Sequence, residues 1–425
     1  MPIRTAEIIA VGSELLGSTR TDSNSLYITQ RLSDIGVELH VKDVVGDERV
    51  DLATVFRQAL DRADVIVFTG GLGPTDDDLT RDVVADVLGL PMSIDETIVA
   101  KIRARFERRG LTMPEVNRRQ AQVPRGAMVL DNPTGTAPGL YIEHAGVHGP
   151  QAILLMPGPP REMHPMLDRV CAGPLAALAG SERTYRASLF LTGRGESHVE
   201  EKVQPIYSRW RDRTPPISTT ILAAMGQIEL HLSVRDTDEA RARATLASAT
   251  DELLSVVGEY VYSTDGRPME QVVGDLLKAR GYSVAAAESC TGGLFTSRLT
   301  DVAGSSAYVR GGIVAYANED KVSLLGVPAN LIAAHGAVSE PVAVAMAEGV
   351  RERTGVDVSV GITGIAGPGG GTPEKPVGTV AIAVIVPGQP AYVRTYQFIG
   401  GRAMVKFQAT QAAMDRIRRM LTDAR

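Results

Sequence analysis

Two adjacent side chains that could act as nucleophiles follow an apolar run in the last third of the chain. The sequence AAAESCTGG at 285–293 places Ser289 and Cys290 between a strand-like and a helix-like segment. This pattern predicts Ser289 at the N-cap or in the first turn of the helix. The N–H groups of Cys290, Thr291 and Gly292 would then be available to an oxyanion or a phosphate. From the residues alone, a cap and a nucleophile are both consistent with the pattern, and serine and cysteine are not separated.

Three further segments end near the same predicted sheet edge. YANEDK places Tyr316 at a strand end and Lys321 one turn into a helix, and a lysine desolvated in a pocket can act as a base. VGITGIAGPGGG ends a strand with Thr363 and Gly364 before a glycine-rich loop. Arg402 starts the last helix, where its guanidinium and the helix N–H groups favour a phosphate. These segments predict a nucleophile, a base, a polar clamp and a phosphate clamp.

Carboxylates in the first part of the chain are candidates for metal ligands. Asp47 lies in VVGDE and Asp78 ends the aspartate run of TGGLGPTDDDLT, with Asp76 and Glu14 as alternates. Carboxylate oxygens suit a divalent metal, and a metal beside a phosphate cradle suits cleavage of a pyrophosphate. Aspartates before a helix are more often caps that complement its dipole, so that alternative stays open.

Glycine-rich loops accompany these carboxylates. Gly71 and Gly73 allow close approach of a phosphate to the backbone, and Thr136 lies in the loop NPTGTAPG. Asn24 lies between a strand end and the first helix, and PGPPREM follows a later strand. We expect these residues to bind substrate, because ligands of open α/β sheets lie at the carboxyl ends of the strands.

The elements that position these residues alternate between buried strands and helices at both ends of the chain. The pattern predicts an α/β protein with two α/β sandwich domains and mainly parallel sheets, at 1–175 and 263–425. Residues 176–262 predict a small α+β connector domain. His144 and His148 have the spacing of helical metal ligands, but the nearby glycines favour a hairpin.

Composition restricts the function classes. The net charge of −6 and an aromatic content of 4% argue against nucleic-acid binding. Two cysteines exclude a disulfide scaffold and suit a reducing compartment. The chain begins without a signal-peptide pattern, and its apolar runs are too short to span a membrane. We expect a cytoplasmic protein with neither membrane nor nucleic-acid partners.

The amino-terminal motifs GSELL, TDSN, GGLGPTDDDLT, NPTGTAPG and PGPPREM resemble the molybdopterin-binding-like domain that begins proteins of the CinA (competence/damage-inducible) family. The resemblance implies hydrolysis of ADP-ribose and related NAD-derived dinucleotides with a divalent metal of the Mg or Co type. The alternative is a molybdopterin-binding or regulatory protein with an inactive hydrolase domain. The family also suggests a homodimer.

The motifs AAAESCTGG, YANEDK, GITGIAGPGG and GGR resemble the nicotinamide-nucleotide amidase domain that ends CinA-type proteins. The resemblance implies that Ser289 is the nucleophile and Lys321 its base, and that the domain deamidates nicotinamide mononucleotide without a cofactor. Tyr316 and Thr363 would line the substrate, with Thr363 grouped with the catalytic residues, and Arg402 would hold the phosphate. The predicted protein is thus a bifunctional hydrolase of pyridine-nucleotide salvage.

Overall fold

The computed structural model describes residues 2–147, 149–224 and 226–422. The chain forms two compact units. One extends to Tyr185 and includes Arg235–Arg241, and the other comprises Arg186–Val234 and the residues from Ala242 onward.

The first unit contains a six-stranded sheet and a separate two-stranded sheet formed by β4 and β5. The strands of the unit are β1 Thr5–Val11, β2 Glu38–Val45, β3 Val65–Thr69, β4 Met92–Ile94, β5 Gln122–Pro124, β6 Met128–Leu130, β7 Gly139–Gly146 and β8 Gly149–Met156. Its helices are α1 Asn24–Asp34, α2 Arg49–Leu60, α3 Thr80–Leu88, α4 Glu96–Glu107, α5 Pro160–Ala172 and α6 Pro174–Leu178.

The order of the main sheet is β2-β1-β3-β8-β7-β6, and the four strands from β2 to β8 are parallel. All five residues of β3 are buried, because helices cover both faces of the sheet. β7 and β8 form an antiparallel hairpin, which confirms the structure predicted around His144. His148 lies outside the described residues.

The second unit contains most of a small α+β region, followed by a second α/β sheet. The small region consists of β9 Arg183–Leu191, α7 Glu196–Tyr207, β10 Ile217–Ala224, β11 Gln227–Asp236, α8 Glu239–Val257 and β12 Val261–Ser263. The α/β region consists of α9 Met269–Arg280, β13 Val284–Glu288, α10 Leu294–Thr300, β14 Val309–Val314, α11 Asn318–Leu325, α12 Ala329–His335, α13 Glu340–Thr354, β15 Val358–Gly364, β16 Thr379–Ile385, β17 Tyr392–Gln397 and α14 Arg402–Thr422.

The five-stranded sheet has the order β14-β13-β15-β16-β17. β13 pairs in parallel with both β14 and β15, whereas β16 and β17 are joined antiparallel. The carboxyl ends of β13, β14 and β15 therefore meet at one edge, with β13 in the middle. This arrangement confirms the predicted α/β fold class and brings the motifs of the last domain together.

Within the part of the chain that the structure describes, no helix is both long and apolar enough to cross a membrane.

Candidate active sites

A serine and a lysine form a buried pair at the edge where β13 and β14 end. Ser289 directly follows β13, and Lys321 is the fourth residue of α11. The lysine Nζ donates a hydrogen bond of 3.2 Å to Ser289 Oγ. Only 8% of Ser289 and 1% of Lys321 are exposed. The structure thus brings together the two residues predicted as nucleophile and base.

The surroundings of Lys321 favour its neutral form and also fix the position of its amine. Burial lowers the pKa of Lys321 below its ordinary value, because a charged ammonium loses its hydration there. The amine also donates to the carbonyl oxygens of Ala315 at 3.0 Å and Tyr316 at 3.2 Å. A neutral amine can keep these two donations while its lone pair faces the Ser289 hydroxyl. The geometry therefore suits proton transfer from serine to lysine.

The prediction that Ser289 lies at the N-cap or in the first turn of the following helix is wrong. α10 begins at Leu294 and its N-cap is Gly293, which has left-handed backbone geometry. The capping group is the buried carboxylate of Glu288, which accepts from the N–H groups of Phe295 and Thr296, both at 3.0 Å. Glu288 takes the role predicted for Ser289 because a carboxylate at the end of β13 reaches the helix start. Ser289 is thereby left free for chemistry.

The turn between Ser289 and α10 retains unpaired backbone donors. The N–H of Gly292 donates to Ser289 O at 3.1 Å, so it is used within the turn. Among the described residues, the N–H groups of Cys290 and Thr291 donate to no backbone carbonyl. These two groups, next to the nucleophile, are the candidates for stabilising an oxyanion. The Thr291 hydroxyl is also buried without a partner.

Cys290 is a poor nucleophile in this setting. The residue is 5% exposed and belongs to the core cluster under the sheet. Burial raises the pKa of its thiol to about 12. Since the thiolate is the reactive form, a thiol with this pKa is inert near neutral pH. The structure therefore favours Ser289 over Cys290 as the nucleophile. In the sequence, only the family resemblance distinguished the two residues.

Cationic groups at the start of α14 face the same site. Arg402 donates at 2.8 Å to the Tyr316 hydroxyl and at 2.8 Å to the carbonyl of Gly367 in the glycine-rich loop. Sequence reasoning missed Lys406, one helical turn later, whose Nζ lies 3.7 Å from the position that a Cβ on Gly292 would occupy. Its i+4 spacing from Arg402 was the available signal. The two cations are therefore candidates for binding an anion.

The remaining predicted residues of this domain support the loops around the pair. Thr363 is buried, and its hydroxyl donates to Ala337 O at 2.8 Å. A Cβ on Gly364 would collide with Val380 on the neighbouring strand. The backbone of Ile362 accepts from Ser289 N at 2.9 Å, which fixes the nucleophile against β15.

A pocket of the first unit collects most of the residues predicted there. It has a volume of about 790 Å³ and lies where β1, β3 and β8 end. Its lining includes Glu14, Asn24, Asp47, Gly71, Gly73, Asp78 and Thr136. Asp76 does not line it; this side chain is fully exposed and pairs with Arg119 at 3.4 Å.

The glycine-rich loop of this pocket closes around Asp78. One carboxylate oxygen accepts from Gly73 N at 2.7 Å, and the other accepts from Thr75 N at 2.9 Å. Gly71 has a φ of +65°, and a Cβ on Gly73 would collide with the Asp78 carboxylate. Buried Arg81 donates to Gly73 O at 3.1 Å, and burial lowers the pKa of this arginine to about 10. Asp78 thus shapes the loop and does not cap the next helix.

Asp47 and Asn24 offer unused acceptor atoms to a ligand. Asp47 Oδ2 accepts from Ser13 N at 2.8 Å, while its Oδ1 accepts no bond within the described residues. Asn24 Nδ2 donates to Thr69 Oγ1 at 2.9 Å and to Gly158 O at 2.7 Å. These bonds fix the amide, and its Oδ1 is buried without a partner. Both side chains are oriented before any ligand binds.

Whether a divalent metal fits this pocket depends on how many of its ligands come from the protein and how many from the substrate and water. No group of three or more His, Cys, Asp or Glu side chains among the described residues is arranged to hold a metal ion. Mg²⁺ is commonly held by one or two carboxylates, water and the phosphates of the substrate. Asp47 and Asp78 line the pocket beside the glycine loop and fit that mode. The donors suit a metal that arrives with a pyrophosphate.

Three family models match successive parts of the chain. Residues 7–177 match "Probable molybdopterin binding domain", residues 186–263 match "Damage-inducible protein CinA KH domain", and residues 266–421 match "CinA C-terminal domain". The middle match adds a KH-type assignment to the region that the sequence predicted only as α+β.

Several relatives match this chain over nearly its whole length. A CinA-like protein of Koribacter versatilis is 45% identical over 98% of this chain and 99% of its own. A CinA-like protein of Acidobacterium capsulatum is 43% identical over the same shares. The crystal structure of the competence/damage inducible protein CihA from Agrobacterium tumefaciens has 37% identity. It covers 35% of this chain and 91% of that one, with a TM-score of 0.35.

Proposed function

The chain belongs to the CinA (competence/damage-inducible) family, and from that premise we propose that its last domain is a serine amidase for nicotinamide mononucleotide. The products are nicotinate mononucleotide and ammonia. One observation carries this proposal: the 3.2 Å contact between the Lys321 amine and the Ser289 hydroxyl, both buried. A hydroxyl paired with a desolvated amine is an activated nucleophile.

The reaction uses groups already in place. Neutral Lys321 takes the proton of Ser289 as Oγ attacks the carboxamide carbon. The oxyanion that forms is stabilised by the N–H groups of Cys290 and Thr291. Lys321 then gives its proton to the leaving nitrogen, and the C–N bond of the tetrahedral intermediate breaks, which releases ammonia and leaves an acyl-serine ester. Water, deprotonated by the same lysine, attacks the ester and releases the nicotinate carboxylate and the serine hydroxyl.

Phosphate recognition falls to the start of α14. Arg402 and Lys406 lie on one face of the helix, and the phosphate of the nucleotide suits two cations beside backbone N–H groups. Tyr316 accepts from Arg402 and holds it at the entrance of the site. With its phosphate bound at the start of α14, the nucleotide would place its carboxamide near Ser289.

The assignment is tested by ammonia release from nicotinamide mononucleotide. Ser289→Ala is expected to lower kcat by at least about 10³-fold, because the attacking atom is lost. Cys290→Ala is the matched control and keeps most of the activity, since its thiol is buried and protonated. A serine variant with full activity, or a cysteine variant without any, would overturn the assignment.

For the first domain we propose metal-dependent hydrolysis of ADP-ribose or a related dinucleotide pyrophosphate. Asp47 and Asp78 would hold the metal, which would neutralise the phosphates. The glycine loop would contact the pyrophosphate through its backbone, and Asn24 Oδ1 would accept from a ligand hydroxyl. The support is the pocket that unites these residues at the strand ends.

A second candidate for this domain is molybdopterin binding without hydrolysis. It is favoured by the description of the matching family model and by the lack of a three-residue metal cluster among the described residues. Mass spectrometry of products from ADP-ribose, with and without chelator, separates the two. Chelator-sensitive formation of AMP supports the hydrolase, and molybdopterin binding without AMP formation supports the alternative. Amidase activity, measured in the same samples, is expected to survive the chelator.

A further inference from the structure

A second cleft lies beside the pocket of the first domain and has no role in the functions proposed above. Its volume is about 690 Å³, and it is formed by α4, β6 and the loop NPTGTAPG. Thr136 of this loop lines both the cleft and the pocket that contains Asp47, so the two spaces meet at one residue. A ligand held at the glycine loop that reaches past Thr136 would enter the cleft.

The surface of the cleft combines an apolar floor with a cationic rim. Ile98 and Ile102, one helical turn apart on α4, form the floor with Val129 of β6. Lys101, Arg105 and Arg108 lie at the rim together with the carboxylates of Glu107 and Asp131. Lys101 pairs with Asp131 at 2.8 Å, whereas Arg105 and Arg108 form no ion pair within the described residues, so the rim keeps a net positive charge. This surface suits a nucleotide whose planar nucleobase lies on the aliphatic side chains and whose phosphate lies near the guanidinium groups.

Arg105 also connects the cleft to the loop that divides it from the pocket. Its guanidinium donates to the carbonyl oxygens of Pro133, at 2.9 Å, and Thr134. Both of its bonds go to backbone oxygens, so its positive charge is not neutralised. The loop is thereby held in position while the cation remains available to an anionic ligand.

We propose that this cleft binds the nucleoside end of the dinucleotide whose pyrophosphate lies at the glycine loop. The inference rests on the proposed hydrolase function of the first domain. The volume of the cleft exceeds that of a nucleoside, and its floor and rim supply the apolar and cationic contacts that a nucleoside phosphate needs.

A bulky residue in the cleft tests the proposal in the full-length protein. Val129→Trp fills the cleft, whereas Met128→Trp, the matched control, alters the preceding residue of β6, which does not line it. For ADP-ribose hydrolysis we expect Val129→Trp to raise KM roughly tenfold or more with little change in kcat, since it blocks a binding contact remote from the reacting bond. Inhibition by inorganic pyrophosphate, which reaches only the glycine loop, should stay unchanged. An unchanged KM, or an equal loss of pyrophosphate inhibition, would overturn the proposal.

A charge reversal provides a second variant that leaves the packing intact. Arg108→Glu should raise KM for ADP-ribose, while Arg109→Glu, the neighbouring exposed residue outside the cleft, should not. Equal effects of both would indicate general electrostatics and would contradict a specific subsite.

Equilibrium binding of AMP separates this inference from the hydrolase function. If the wild-type protein does not hydrolyse ADP-ribose, the proposed hydrolase function is wrong. Nucleotide binding in the cleft is then tested by calorimetry of AMP binding alone. Loss of AMP binding in Val129→Trp but not in Met128→Trp supports the cleft. Absence of AMP binding to the wild type in that case overturns it. AMP binding that depends on Val129 without any effect on KM for ADP-ribose would mark a separate mononucleotide site and also overturn the proposal.

Discussion

Lys321 is the residue whose environment makes the most direct prediction. Its burial lowers the pKa of the amine, so the neutral base is populated at a lower pH than for an exposed lysine. Amidase activity at saturating nicotinamide mononucleotide should rise with pH as Lys321 loses its proton and level off above its pKa. We expect the half-maximal rate below the ordinary lysine value of about 10.4.

Measurement of kcat against pH checks this expectation. Lys321→Arg serves as the control, because arginine stays protonated and cannot accept the serine proton. Its rate should be near background with no recovery at alkaline pH. A wild-type rate that falls as pH rises through this range would contradict the role of Lys321 as a base.

At the residue scale, the members of the serine–lysine site could be predicted, but not all of their roles. Ser289, Tyr316 and Lys321 follow strands that meet at one sheet edge, so their proximity follows from topology. The cap could not be predicted, because Glu288 bonds backbone groups seven and eight residues away across a turn. Such a bond depends on the backbone conformation of the glycine-containing turn between Glu288 and α10, which the local sequence pattern does not specify.

At the element scale, the start of α10 depends on one buried carboxylate. Glu288 is fully buried and accepts three hydrogen bonds from Phe295 and Thr296. In Glu288→Gln one oxygen is replaced by an amide that cannot accept, and the charge that complements the helix N-terminus is lost. We expect the free energy of unfolding to fall by about 1–3 kcal/mol.

Chemical denaturation measures this loss. The matched control is Glu348→Gln, an exposed glutamate on α13, which should change stability by less than about 0.5 kcal/mol. Equal stability of the two variants would show that the cap contributes little.

The N-terminus of α14 makes a separable prediction about substrate recognition. Arg402 is exposed and bonds the Tyr316 hydroxyl and the glycine loop, so it can turn to a phosphate without leaving the site. Arg402→Gln should lower kcat/KM for nicotinamide mononucleotide by roughly 10- to 100-fold, the range for losing a charge-assisted contact. Deamidation of nicotinamide riboside, which lacks the phosphate, should change little. An equal loss for both substrates would show that Arg402 supports the fold of the site and does not read the phosphate.

At the scale of the whole molecule, strand and helix patterns were sufficient for the fold class because both large sheets are covered by helices. Their central strands are mainly apolar, and β13 and β16 are buried at every position. The antiparallel strands of the first sheet were harder to predict, since a short strand such as β6 carries no clear alternation of apolar and polar residues. The cleft beside β6 was missed for the same reason. Clefts form where loops and short strands meet, and periodicity does not describe those places.

KH domains are known for binding nucleic acid, but the sequence of the KH-type region in this chain argues against non-specific nucleic-acid binding. KH domains hold a nucleic-acid backbone with a G-x-x-G loop, and residues 186–263 contain no such sequence. This region has nine Lys and Arg against eleven Asp and Glu, and the whole chain has a net charge of −6. Counterion release, which drives non-specific binding, needs a cationic surface that such a charge balance does not favour.

We therefore expect negligible retention of the full-length protein on heparin at physiological salt. A variant with Glu200 and Glu201 both changed to Lys is a useful comparison, because it adds positive charge to one helix of the same region. It should elute later than the wild type in a salt gradient and so show that the column responds to charge. Salt-sensitive retention of the wild type itself would contradict the prediction, since a polyanion would then be recognised by a local cationic surface despite the negative net charge.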